Sequence, residues 1–179
     1  MTQPTPPVFS LPAALASCGY ALRGETEDDL PFLLRLYAST REVELAPIPW
    51  NAEQKQAFLE SQFAAQRHHY RTYISACRFE VITLHGEPVG RLYLEPRQTQ
   101  LYIVDIALMP ERRGQGVGST IMRALQATAQ ASGRGVGIMV EKFNPALRLY
   151  RRLGFREIAD HEVYLEMEWL PEKGQLNVA

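Results

Sequence analysis

Arg113-Gly114-Gln115-Gly116-Val117-Gly118-Ser119 is the stretch whose residue types could do chemistry, because three alternating glycines sit between an apolar run and a helical pattern. Ahead of it, Leu101 to Leu108 is rich in β-branched and aromatic residues and has the length of a strand. Behind it, Val117, Ile121 and Leu125 recur every four residues with Met122 and Ala129 beside them, which is the apolar stripe of a helix. A helix start carries backbone N–H groups without partners and the positive end of the dipole, so a strand, glycine turn and helix in that order read as a diphosphate site. Ser119 follows Gly118 with no Lys between them, which removes the P-loop. The spacing G-x-G-x-G, with Met109 to Arg113 intervening after the strand, weakens a dinucleotide turn without removing it.

The pattern Arg113-x-x-Gly116-x-Gly118 resembles the acyl-CoA pyrophosphate loop, R/Q-x-x-G-x-G/A, of the GNAT superfamily of N-acetyltransferases. Ile106-Ala107-Leu108-Met109-Pro110-Glu111 is similar to the strand end that precedes that loop. A second segment, Asn144 to Phe155, resembles the later signature N-x-x-A-x-x-L-Y-x-x-x-G-F, with Ala146 one place early. Motif-level likeness covers about Ile106 to Phe155, and the element order extends it from about Tyr20 to Trp169. The resemblance implies a GNAT-like acyl-CoA N-acyltransferase fold and acetyl transfer from acetyl-CoA, as cosubstrate, to a primary amine by direct attack in a ternary complex. A non-catalytic acyl-CoA-binding module and a nucleotide-dependent oxidoreductase stay open as other classes. The acceptor is a small molecule or a peptide amine, and nothing in the chain names it.

Attack of an amine on a thioester needs three things: loss of an amine proton, stabilisation of the carbonyl oxygen, and neutralisation of the departing thiolate. By resemblance, backbone groups of Ile106, Ala107 and Leu108 hold the pantetheine and the acetyl carbonyl, while Arg113 and Gly114 to Ser119 hold the diphosphate. Tyr150 matches the family tyrosine that donates a proton to the sulfur. It also falls on an i, i+3, i+4, i+7 stripe with Ala146, Leu149 and Leu153, which suits a core aromatic. Asn144 has two compatible roles, a contact to the cofactor or a helix N-cap before Pro145. For the base the neighbourhood offers Tyr102, Asp105 or a water relay; strict strand alternation puts Tyr102 and Asp105 on opposite faces, so at most one faces the acceptor.

The elements around these residues must form one domain, since the chain has 179 residues. Cys18 and Cys77 are the two cysteines, which is too few for a structural zinc site, and neither they nor His68-His69 have ligands at metal spacing. No metal is expected, and Cys77 lacks a nucleophile's context. No stretch has the form of a secretory signal or a membrane span, so a cytoplasmic protein without a membrane partner is expected. Between Arg112 and Arg156 nine basic residues face one acidic residue, a local charge of +8, against −9 elsewhere. A basic half suits a multiply phosphorylated cofactor and an acidic remainder attracts a cationic amine. There is no nucleic-acid motif and no basic–aromatic interleaving, so nucleic acid is not expected. A homodimer is left open.

In chain order, residues 1–19 with Pro4, Pro6, Pro7 and Pro12 read as a flexible arm, 20–170 as the catalytic domain and 171–179 as a tail. Tyr20 to Arg23 reads as a strand. A helix is capped near Thr26 and carries Leu30, Leu33, Leu34 and Tyr37 inward, and a second runs from about Ala52 to Arg71 with Phe58, Leu59, Gln62 and Phe63 inward. By resemblance these helices and their connection cover the acceptor, making Glu42, Glu44 and Trp50 candidates there. A hairpin turning at His85-Gly86-Glu87, the strand at Leu101, further strands at Val136 to Val140, Phe155 to Ile158 and Val163 to Trp169, and the intervening helices give an α/β fold. The expected architecture is a single mixed, mostly antiparallel twisted sheet flanked by helices.

Overall fold

The computed structural model describes residues 9–171. Its elements are α1 (Ala13–Ala16), β1 (Tyr20–Gly24), α2 (Leu30–Leu45), α3 (Ala52–Tyr73), β2 (Arg78–Leu84), β3 (Glu87–Pro96), β4 (Gln100–Leu108), α4 (Val117–Ala131), β5 (Gly135–Glu141), α5 (Leu147–Arg152), β6 (Arg156–His161) and β7 (Tyr164–Trp169). Seven strands form one sheet in the order β1-β2-β3-β4-β5-β7-β6. Every neighbouring pair is antiparallel except β4 and β5, which α4 connects as a parallel crossover. This is the mixed, mostly antiparallel sheet that the sequence leads one to expect.

The β2–β3 hairpin closes on two residues, His85 and Gly86, both at positive φ (50° and 89°), the geometry that suits a tight hairpin turn. Each face of the sheet then buries its own helices. On one face α4 inserts Val117, Ile121, Met122, Leu125 and Ala129, the stripe read from the sequence, against Leu92, Ile103, Val136 and Met167. Ile121, Met122 and Leu125 are fully buried, each worth about 1.5–3 kcal/mol of transfer free energy. On the other face Phe32, Leu33, Leu36 and Tyr37 of α2 and Leu59 and Phe63 of α3 cover Val81.

Three expectations change here. Within residues 9–19, expected to be an arm, Phe9 and Leu15 join the core, and the Phe9 carbonyl accepts from Arg78. Those two large apolar side chains outweigh the proline content. Residues 1–8 and 172–179 of the expected arm and tail lie outside the described residues. On α3, Gln62 is exposed and Phe58 faces the connection, where its ring meets Trp50 at 5.2 Å, so Leu59 and Phe63 alone of the four point inward. Asn144 is not the N-cap of α5, which starts at Leu147; its Oδ1 instead accepts from Ala146 N at 2.9 Å in a turn before the helix. Among the described residues no helix is long and apolar enough to cross a membrane.

Candidate active site

The site begins where β4 and β5 part. They pair from Gln100–Gly135 to Ile103–Ile138 and no further, although β4 continues to Leu108 and β5 to Glu141. The cause lies on the other side of β4. Ile103 faces Leu94 and Asp105 faces Tyr93, so Val104 is an extra residue, a bulge that bends the strand and raises its twist. Beyond the bulge the backbone of Val104 to Leu108 is released from β5 and borders an open slot. Ile106, Ala107 and Leu108, expected to hold an acyl chain, all lie on this released stretch.

The slot leads to the glycine turn. Gly114 and Gly116 stand at φ +72° and +83°, the left-handed region, and Gly116 caps α4. Among the described residues the six amides from Gly114 to Ser119 donate to no protein acceptor. They form a patch of unpaired donors at the positive end of a 15-residue helix. The side chains turn away from it: Ser119 Oγ donates to its own Gly116 carbonyl at 2.9 Å and Gln115 donates to the Glu111 carbonyl at 2.7 Å. Arg113 Nε donates to the Leu108 carbonyl at 2.8 Å and its Nη2 to Ser39 Oγ at 2.9 Å. Its guanidinium therefore ties the turn to the end of β4 and to α2.

Two measurable consequences follow from this geometry. Gly116→Val should fold with a strain of about 1–2 kcal/mol, since a β-branched residue resists positive φ, and should bind CoA more weakly in a calorimetric titration. Arg113→Ala should also weaken CoA, through a displaced turn, so the loss should be the same at low and high salt; a loss that fades with salt would show a direct ionic contact instead.

The bulge also resets the faces of the strand. Tyr102 faces Glu95 and Asp105 faces Tyr93 across the β3–β4 ladder, so Tyr102 and Asp105 share the α2/α3 face rather than opposing one another. They stand at different depths. Tyr102 pairs with Gly137 in the closed part of the strands, with the Arg97 guanidinium 3.6 Å from its ring centroid. Burial raises its phenol. Asp105 stands just past the divergence, and its Oδ2 accepts from Arg91 at 2.7 Å and from the Tyr70 hydroxyl at 3.3 Å. Arg91 is 3% exposed and also donates to Gln66. Burial strongly raises the Tyr70 phenol, so it stays a donor to Asp105. Among the described residues the other carboxylate oxygen of Asp105 has no hydrogen-bond donor.

Tyr150 comes to the slot from α5, 4% exposed, with its ring 5.8 Å from that of Phe155. Burial first, and the charge of Asp105 second, push its hydroxyl well above the usual phenol value. It makes no hydrogen bond to the described residues, so it is a protonated donor without a partner. Leu147, missed in the stripe, shares the buried side of α5. Asn144 is exposed, with its carbonyl engaged as above. Cys77 is a poor nucleophile, its thiol pushed up to about 12 chiefly by burial. Of the acceptor candidates, Glu42 lines a groove of about 480 Å³ between α2 and α3, together with Leu45, Lys55, Leu59 and the same Ser39 that holds Arg113. Glu44 is bound by Arg41, and Trp50 packs against Phe58 with the two rings tilted by 58°. Arg91, Tyr70, Ser39 and Arg41 were not among the candidates. Arg91 alone carried a signal, as the one charge inside the apolar run Val89 to Leu94.

Diverging strands, a turn of unpaired amides and a buried tyrosine meet where β4 leaves β5. Residues 75–157 match the family model described as an acetyltransferase (GNAT) domain. The fold of the chain is that of the PaiA N-acetyltransferase from Thermoplasma acidophilum, solved in complex with coenzyme A: TM-score 0.62 at 14% identity, covering 84% of this chain and 98% of that one. The ribosomal-protein-S18-alanine N-acetyltransferase from Escherichia coli superposes with TM-score 0.56 at 17% identity, covering 89% of this chain and 99% of that one. Arabidopsis thaliana Naa50, solved with the bisubstrate analogue CoA-Ac-MVNAL, gives TM-score 0.52 at 15% identity, covering 84% and 97%.

Proposed function

We propose that the protein transfers an acetyl group from acetyl-CoA to a primary amine by direct attack in a ternary complex. The observation that carries this is the slot between β4 and β5, with the partnerless Tyr150 hydroxyl beside it and the unpaired amides of α4 at its end. The amides from Gly114 to Ser119 receive the diphosphate, Arg113 holds the turn in place, and the released backbone of Ile106 to Leu108 receives the pantetheine and acetyl carbonyl. Asn144 acts by shaping the turn before α5. A family domain match and a neighbour solved with coenzyme A support the cosubstrate.

The amine nitrogen bonds to the carbonyl carbon, the carbonyl oxygen becomes anionic, and the C–S bond then breaks. Tyr150 gives its proton to the departing thiolate. Of the two base candidates Asp105 is at the divergence and Tyr102 is not. One oxygen of Asp105 is committed to Arg91 and Tyr70, so the free oxygen orients the amine or the water that accepts its proton. Cys77 takes no part, which favours direct attack over a covalent acyl-enzyme. A neighbour named for an alanine of a ribosomal protein and one solved with the bisubstrate analogue CoA-Ac-MVNAL support a peptide amine as acceptor alongside small amines. Incubation with acetyl-CoA and a panel of primary amines, with detection of released thiol, tests the reading. Tight CoA binding with no thiol released by any amine would overturn it.

A further inference from the structure

An ion pair that the mechanism above does not use joins α2 to the end of β5, past the point where β5 parts from β4, and this marks the mouth of the slot. Arg41 at the C-terminal end of α2 donates to Glu141, the last residue of β5, at 2.8 Å, joining residues 100 apart in the chain. Gly137 is paired with Tyr102, so alternation along β5 puts Met139 and Glu141 on the same sheet face as Asp105. Glu141 therefore stands on the acceptor side, farther out than Asp105. Its carboxylate is half-buried, and Tyr164 is its register partner on β7. Lys142 does not compete, being held by Asp160 at 2.5 Å.

Arg41 has other holds. It also pairs with Glu44 at 3.0 Å and lies 5.5 Å from the Tyr37 ring centroid, while its Nε is buried without a partner. Its guanidinium can leave Glu141 and keep a carboxylate and an aromatic face. An alkylammonium has the same charge and also only donates, so it fits the place that Arg41 vacates. We propose that Glu141 is the carboxylate that receives the cationic acceptor, and that Arg41 occupies it until the acceptor displaces it. The proposal rests on the acetyl-transfer reading and names its substrate class. Glu44 and Glu141 both hold Arg41, two carboxylates against one guanidinium, so the mouth accepts amines without a neighbouring carboxylate and disfavours free amino acids.

The test compares alaninamide, alanine and spermidine by chemical-shift titration into CoA-saturated protein, which needs no turnover; thiol release in parallel shows separately whether transfer occurs. Arg41→Gln should bind alaninamide and spermidine roughly threefold to tenfold more tightly, because it removes the resident competitor. Glu141→Gln should weaken both by about tenfold or more and narrow the preference for alaninamide over alanine. The double variant should match Glu141→Gln alone, since nothing is left to compete for. Arg41→Lys, which keeps a cation, should stay near the parent, and CoA affinity should hold throughout. If Arg41→Gln weakens the amines as Glu141→Gln does, or neither variant changes them while melting temperatures fall together, the pair is a structural strap and the proposal is wrong.

Discussion

Tyr150→Phe should lower turnover by about 10²–10⁴-fold, the usual contribution of a positioned general acid, while CoA affinity and melting temperature stay close to the parent. The ring contact with Phe155 and the apolar burial of α5 survive the change, and the hydroxyl has no described protein partner to lose. A hydroxyl that matters only as the C–S bond breaks appears in the rate and not in ground-state binding. The pH profile gives a second reading. With its proton affinity raised by burial and by Asp105, Tyr150 stays protonated through the region near pH 10 where a solvated phenol ionises, so activity should not fall there on its account. Turnover within about twofold of the parent, with chemistry rate-limiting, would leave Tyr150 as a core aromatic only.

The parts of this site legible in the sequence are those with a fixed local spacing. Gly116 must be glycine to reach φ +83° at the start of α4, and the stripe from Val117 to Ala129 must face the sheet, so turn and helix could be read together. The Tyr150 stripe was legible for the same reason, though its hydroxyl's lack of a partner was not. What could not be read depends on single-residue events and on distant partners. The bulge at Val104 opens the slot and brings Tyr102 and Asp105 to one face, and nothing in Leu101 to Leu108 marks where an extra residue falls. Arg113 matches the loop motif by type, but whether its guanidinium points to a ligand or back to Leu108 and Ser39 is decided by α2, 74 residues away. Asp105 finds its partner Arg91 on another strand, a pairing that no local spacing marks. Phe9 and Leu15 were judged by their proline neighbours, when their burial depends on a core the rest of the chain builds.

The Arg91–Asp105 pair should show the largest effect on stability. Arg91→Met leaves the Asp105 carboxylate, whose side chain is only 16% exposed, without its guanidinium, and removing one partner of a buried pair typically costs about 3–5 kcal/mol. Asp105→Asn should cost as much, since it strands a side chain that is 4% exposed beside an amide that cannot balance the charge. The double change Arg91→Met with Asp105→Leu should recover most of the loss, because two apolar side chains of similar volume avoid desolvating either ion. Urea unfolding of the four proteins gives the coupling as a double-mutant cycle. The folded double variant then separates two roles that the single variants confound. If Asp105 serves only to satisfy Arg91, restoring stability restores turnover. If its free oxygen orients the amine or its proton-accepting water, the double variant stays folded and binds CoA yet loses on the order of 10²-fold in rate. Full activity in that stable double variant would remove Asp105 from the mechanism and leave proton transfer to water placed by other groups.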